Sequence, residues 1–216
     1  MPDLTITVDG ARVVPFAAVP LLSFQLSVTN APNHEVIHAV MLRCQLQLEV
    51  TRRQYTTAEE TELRDLFGTT DRWSNTLRSM LWTHATVMVP RFAERVTVEL
   101  PVPCTFDFNV AATKYFHGLT QGDVPLMFLF SGTIFYEDED DALKVHPVSW
   151  EKEARFRLPA STWRELMQSY YPNVAWVTLR RDVFQRLQDY KVERGIPTWE
   201  QALESLLASA DDVVGT

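Results

Sequence analysis

The sequence predicts an α+β protein: an antiparallel β-sandwich carrying a helical insertion and followed by a C-terminal helical cap. Three observations predict it. Apolar and polar residues alternate with period 2 through most of the first 160 residues, as in strands with one dry and one wet face. After residue 159 the period lengthens to that of amphipathic helices. Helix-capping patterns open the insertion and two of the C-terminal segments. The expected organisation is a sandwich domain over 1–160 with its insertion at 56–82, and a strand–helix–helix cap over 161–216.

The elements follow in order. Leu4–Val8 and Ala11–Val14 flank Asp9-Gly10, a dipeptide that favours a two-residue hairpin because both central positions accept positive φ. Leu22, Phe24, Leu26 and Val28 alternate with Ser23, Gln25, Ser27 and Thr29. Residues 35–50 alternate at greater length, with His38, Leu42, Cys44 and Leu46 on one side and Arg43, Gln45, Gln47 and Glu49 on the other. Residues 95–108 repeat this, and Pro101 and Pro103 fall on the wet side, which suits an edge or a bend. Residues 124–136 (VPLMFLFSGTIFY) are almost continuously apolar, as in a strand covered on both faces. Trp150–Leu158 alternates again, with Glu151, Glu153, Arg155 and Arg157 outward.

In the insertion, Thr57-Ala58-Glu59-Glu60 reads as a capping box, Leu63, Leu66 and Phe67 follow at helical spacing, and Gly68 can close the helix. A second short helix is expected over Asp71–Leu81. In the cap, Thr162 and Glu165 form a box before Trp163, Leu166, Met167 and Tyr170, and Tyr171-Pro172-Asn173 ends that helix. Ala175–Arg180 reads as a short strand. Arg181–Arg194 is a helix with Val183, Phe184, Leu187 and Tyr190 on one face, ended by Gly195. Thr198 and Gln201 open the last helix, lined by Trp199, Ala202, Leu203, Leu206 and Leu207.

Composition narrows the function. The 216 residues suit one domain, or one with an appendage. Twenty basic against 28 acidic residues leave a net charge of −8, poor material for wrapping phosphates. Two cysteines cannot complete a four-thiolate zinc site or an iron–sulfur cluster. No apolar run reaches the length of a membrane-spanning helix, so no membrane insertion is expected. The start, MPDLTITVDG, has neither the basic nor the apolar region of a signal peptide. The expected location is the cytoplasm.

His34-Glu35-Val36-Ile37-His38 matches the H-E-x-x-H pattern of zinc peptidases, which works only on a helix. On a strand the two imidazoles would stand about 13 Å apart, beyond the reach of one zinc ion. Cys44 and Cys104 fall on dry faces with a spacing like that of immunoglobulin domains, but Val102 stands where those domains carry a tyrosine, and two buried thiols are expected. The acidic run Glu137–Asp141 reads as a solvated hairpin tip. His38, His84 and His117 are the obvious acid–base candidates for an enzyme with a dispersed site. No metal set, nucleophile–base pair or phosphate loop stands out, and no cofactor is expected.

The leading reading is therefore a non-enzymatic interaction protein. Arg72, Trp73, Trp82, His84, Tyr115 and His117 combine aromatic, Arg and His chemistry on connecting segments, which suits a recognition surface. The alternative is a dimeric DNA-binding regulator, because Ala175–Leu207 resembles a ribbon-helix-helix unit with Trp176, Thr178 and Arg180 outward. Charge opposes it: residues 161–216 hold 6 basic and 8 acidic side chains, net −2.

The stretches Leu42-Arg43-Cys44-Gln45, Asp65-Leu66-Phe67-Gly68, Leu81-Trp82-Thr83-His84, Leu100-Pro101-Val102-Pro103-Cys104, Phe130-Ser131-Gly132-Thr133 and Arg194–Glu200 resemble an uncharacterised, mostly bacterial family of actinobacterial type. Its members are often encoded beside uptake nickel–iron hydrogenases. The resemblance implies an accessory or assembly role, with hydrogenase subunits or maturation factors as partners, and it implies no catalytic residues.

Overall fold

The computed structural model describes residues 2–31, 35–105, 110–137, 142–173, 177 and 179–214, with side chains in the last helix described to residue 210. The chain divides into two compact units, Met1–Asn173 and Val174–Thr216.

The first unit is a sandwich of two antiparallel sheets. One holds β1 (Asp3–Val13), β2 (Leu21–Ala31) and β5 (Arg95–Pro103) in the order β1-β2-β5. The other holds β3 (Ile37–Leu48), β4 (Met80–Val89), β6 (Asp123–Glu137), β7 (Leu143–Pro147) and β8 (Glu153–Pro159). Its order is β4-β3-β6, and β7 and β8 share the outer edge of β6. The period-2 sequences dictate this packing. Leu22, Phe24, Leu26 and Val28 of β2 are fully buried, and Phe24 meets Phe128 of β6 and Phe156 of β8 edge-on at 5.1 and 5.9 Å. The continuous apolar run becomes β6, flanked on both sides within its sheet. Pro101 and Pro103 lie on β5, which pairs only with β2 inside its sheet, so their missing amides break no second ladder.

Gly132 sits in β6 at φ +148°, opposite Leu42, and a Cβ there would lie 2.1 Å from the Met41 carbonyl oxygen. Only a residue without a side chain lets the two backbones approach this closely.

Several local expectations are corrected. Asp9-Gly10 is a β-bulge inside the single strand β1, not a hairpin: pairing runs Val8↔Leu26 and then Gly10↔Gln25. The reason is chemical, because the Asp9 carboxylate accepts hydrogen bonds from Thr7 Oγ1 at 2.9 Å and from Ser27 Oγ across the ladder. The connection to β2 comes later, at residues 14–20.

The insertion forms α1 (Thr57–Glu62), α2 (Arg64–Phe67), a 3-10 turn at Thr70–Arg72 and α3 (Trp73–Thr76). Its second helical stretch stops at Thr76, and Leu81 belongs to β4. The capping box uses Thr56 with Glu59, one residue earlier than expected. Further on come α4 (Val110–His117) and α5 (Ala160–Tyr170). The Thr162–Glu165 box does not cap α5. Strand β8 runs directly into the helix, and the Ala160 amide donates to the Gly122 carbonyl at 2.9 Å.

Aromatic side chains join these pieces. Trp163 of α5 stacks on Phe116 of α4 with centroids 4.3 Å apart, and Trp82 of β4 contacts Phe116, Trp163 and Phe24.

The second unit contains α6 (Arg181–Glu193) and α7 (Trp199–Val214). Gly195 takes φ +61° between them, and the Gln201 amide donates to Thr198 Oγ1 at 3.2 Å, half of the expected box. Val177, Leu179 and Arg180 are not in a strand, and the rest of the expected 175–180 strand, Trp176 and Thr178 included, lies outside the described residues. Among the described residues no helix is long and apolar enough to cross a membrane.

Candidate functional site

The most elaborate polar arrangement lies just after β3, where the chain turns through a 3-10 segment (Val50–Arg52) into the insertion. A cleft of about 720 Å³ opens there, lined by Arg52, Arg53, Tyr55, Glu59, Asp123 and Arg157 among others. Its floor is the Arg53–Glu59 ion pair at 2.6 Å, with side chains 6% and 1% exposed. Glu59 reaches inward because the capping box turns it back to the Thr56 amide at 3.0 Å. Its other oxygen accepts from Arg53 Nη2 and from the Thr120 amide at 2.9 Å. Arg53 also donates through Nη1 to the Asp123 carbonyl at 2.6 Å and through Nη2 to the Gln121 carbonyl.

Burial tends to raise the Glu59 pKa, but the Thr56 and Thr120 amides and the Arg53 guanidinium outweigh it and hold the carboxyl below its ordinary range. Glu59 thus stays ionised at neutral pH and cannot serve as a general acid. Above it, Tyr55 donates to the Val50 carbonyl at 2.7 Å and lies 3.0 Å from the Tyr115 hydroxyl. Burial raises the pKa of both phenols, so neither supplies a phenolate. These bonds tie together α1, the segment after β3, the 120–123 loop and, through Tyr115, α4. The cleft is a fastening for the insertion.

The residues nominated by the sequence separate into two groups. Tyr115 is fully buried, Trp82 is buried, and Trp73 is half-buried with its Nε1 donating to the Gly68 carbonyl at 3.1 Å. Phe67 meets both Trp73 and Tyr115 at 6.2 Å, and Tyr115 adjoins Phe116, which Trp82 touches. These three aromatics are packing. Arg72, His84 and His117 are exposed: Arg72 ends the 3-10 turn, His84 faces Gln45 on β4, and His117 ends α4 beside a shallow hollow of about 200 Å³. Partial desolvation lowers the His117 pKa.

His38 lies in β3 with Nε2 3.0 Å from Glu137 Oε2, and His34 lies outside the described residues. Among the described residues no group of three His, Cys, Asp or Glu is placed to hold a metal. Cys44 and Cys104 are free and buried, and burial pushes the Cys104 thiol up to about 12 and the Cys44 thiol higher still. The acidic run beyond Glu137 lies outside the described residues.

A surface of the two C-terminal helices stands out instead. Within the second unit, Val177, Leu179, Phe184, Leu187, Trp199 and Leu203 line an apolar groove of about 450 Å³. Phe184 and Trp199 pack at 5.3 Å, Lys191 sits over Trp199 at 5.5 Å, and the Tyr190 hydroxyl lies 2.8 Å from Ser205 Oγ. Among the described residues of this unit Ala202 alone is buried, while Leu206 and Leu207 are exposed beside the groove. The signal was the apolar stripe on each helix. A stripe shows which face is dry, not what dries it.

Residues 1–214 match a family of unknown function, DUF6084. The chain belongs to that family. No curated protein matches the sequence. Among solved structures, the ApaA protein from Bordetella pertussis is similar at 16% identity over 73% of this chain and 93% of that chain, with a TM-score of 0.24. The β-glucosidase 3B from Thermotoga neapolitana in complex with α-D-glucose is similar at 10% identity and a TM-score of 0.24, over 73% of this chain and 17% of the enzyme. Likeness at this level carries no information about activity.

Proposed function

We propose that the protein is a non-enzymatic interaction module, a cytoplasmic accessory or assembly factor that docks protein through its C-terminal helical pair. The observation that carries this reading is the apolar surface of that pair, where Phe184, Trp199, Leu203, Leu206 and Leu207 all stand exposed and Ala202 alone is buried among the described residues. A contiguous exposed apolar surface marks a contact site. The family resemblance supplies the setting, nickel–iron hydrogenase assembly, and with it the partner class of hydrogenase subunits or maturation factors. The DNA-binding alternative gains little: Arg180 is engaged by Asp182 at 3.0 Å, and the segment from 161 is net acidic.

The test is affinity capture of the full chain from its own cells, read by mass spectrometry, comparing wild type with Phe184→Glu and Leu203→Glu. The expected result is a protein partner retained by wild type and depleted about tenfold or more in both variants. Equal recovery in all three would overturn the assignment to this surface.

A further inference from the structure

We infer that the cleft above the Arg53–Glu59 pair binds a small molecule carrying phosphate. This is independent of the docking surface on the helical pair, because every residue lining the cleft belongs to the first unit.

Size is the first argument. The cleft encloses about 720 Å³. Sites that hold small ligands run from about 300 to 1,000 Å³. Fastening the insertion does not require such a space.

The second argument is donors left over by the fastening. Three arginines line the cleft. Arg53 is engaged through Nη1 and Nη2, but its buried Nε meets no acceptor among the described residues. A buried charged donor left so is costly, and negative charge placed in the cleft offsets the cost. Arg52 is held by Glu49 through Nε at 3.0 Å, which leaves its two Nη groups unengaged among the described residues. Arg157 is exposed on β8, and its guanidinium makes no ion pair or hydrogen bond among the described residues.

Charge agrees. Arg52, Arg53 and Arg157 stand against Glu59 and Asp123, so 3 − 2 = +1, in a chain of net charge −8. Adding Glu49 and Arg155, which lies 4.0 Å from it, keeps the sum at +1. The class of ligand follows from shape. One guanidinium fork fills a planar carboxylate, whereas a tetrahedral phosphate accepts from several arginines at once. Here the rim arginines come from two elements, Arg52 from the segment after β3 and Arg157 from β8. Asp123 is the one lining carboxylate that no cation holds among the described residues, so it opposes the ligand.

The test is isothermal titration calorimetry of the purified full chain at low salt, with pyrophosphate as the probe and citrate as the carboxylate control. Pyrophosphate is expected to bind with a Kd below about 1 mM. Arg157→Gln is expected to weaken it about tenfold, and Asp123→Asn to tighten it several-fold. Arg12→Gln, on the other sheet, should leave it unchanged. Arg157, Asp123 and Arg12 are all exposed, so far-ultraviolet dichroism should be the same in the four proteins. No heat at about ten times that concentration of pyrophosphate would overturn the inference. So would equal affinity in wild type and Arg157→Gln, an equal loss in Arg12→Gln, or weaker binding by Asp123→Asn. Citrate bound as tightly as pyrophosphate would overturn it by assigning the cleft to carboxylates.

Discussion

The sequence reading opens the capping box at Thr57, which pairs it with Glu60 and gives Glu59 no role of its own, yet Glu59 is a buried carboxylate with a charged partner. Thr56 and Thr57 each stand three residues before a glutamate, so the pattern alone cannot choose between them. Only the Thr56 choice turns Glu59 toward Arg53 and the Thr120 amide. Breaking such a pair from one side strands a buried charge and costs about 3–5 kcal/mol. Glu59→Gln is expected to lose stability of that order near neutral pH in urea denaturation. Because the folded pKa is depressed, the contribution of Glu59 is complete above the unfolded value of about 4.3 and is lost as pH falls through the folded value. The gap between wild type and variant should therefore close in acid. The thiols make a second case. Burial raises both pKa values, so Cys44 and Cys104 should resist a thiol reagent near pH 8 in the folded protein and both react in denaturant. Phe16 makes a third: it is 102% exposed at φ +59°, in a loop pinned by the Tyr170 hydroxyl, which accepts from the Ala17 amide and donates to the Val14 carbonyl. A bulky residue in that region is strained, so Phe16→Gly is expected to leave thermal stability unchanged or raise it. A fall of several degrees would show that the ring contributes to packing.

At the scale of elements, the strands were legible because each sheet has one dry face, and period 2 records it directly. Leu22, Phe24, Leu26 and Val28 are all fully buried and Gln25 is exposed, but Ser23 and Ser27, expected on the wet face, are buried too, their hydroxyls bonded to Glu99 and Asp9. The Asp9-Gly10 bulge was not legible, because the same dipeptide serves a turn or a bulge and the choice rests on Ser27, eighteen residues away. Helix α5 showed its stripe plainly, but nothing in the sequence said that Trp163 would stack on Phe116. Trp163→Ala is expected to cost about 3–5 kcal/mol in chemical denaturation. Trp82→Ala belongs to the same column and would mimic a lost partner by weakening the fold. His84→Ala, at an exposed position on β4, tests the Arg72–His84–His117 surface without disturbing the core. Gly132→Ala forces a Cβ against the Met41 carbonyl and should destabilise by at least about 2 kcal/mol.

Across the whole molecule, the sandwich and its insertion consume the three aromatics of the expected recognition surface and leave Arg72, His84 and His117 exposed. Trp73, Trp82 and Tyr115 pack, and Arg53 and Glu59 fasten. The candidate site was only half legible for a physical reason. The stripes on α6 and α7 are visible in the sequence, but periodicity reads the same whether the covering surface belongs to this chain or to another. The most direct measurement is photocrosslinking in the protein's own cell, with a photoreactive residue at position 203 in one full-length protein and at position 84 in another. The account expects a polypeptide adduct at 203, its mass identifying a second copy or another protein, and little at 84. An adduct at 84 with none at 203 would contradict it.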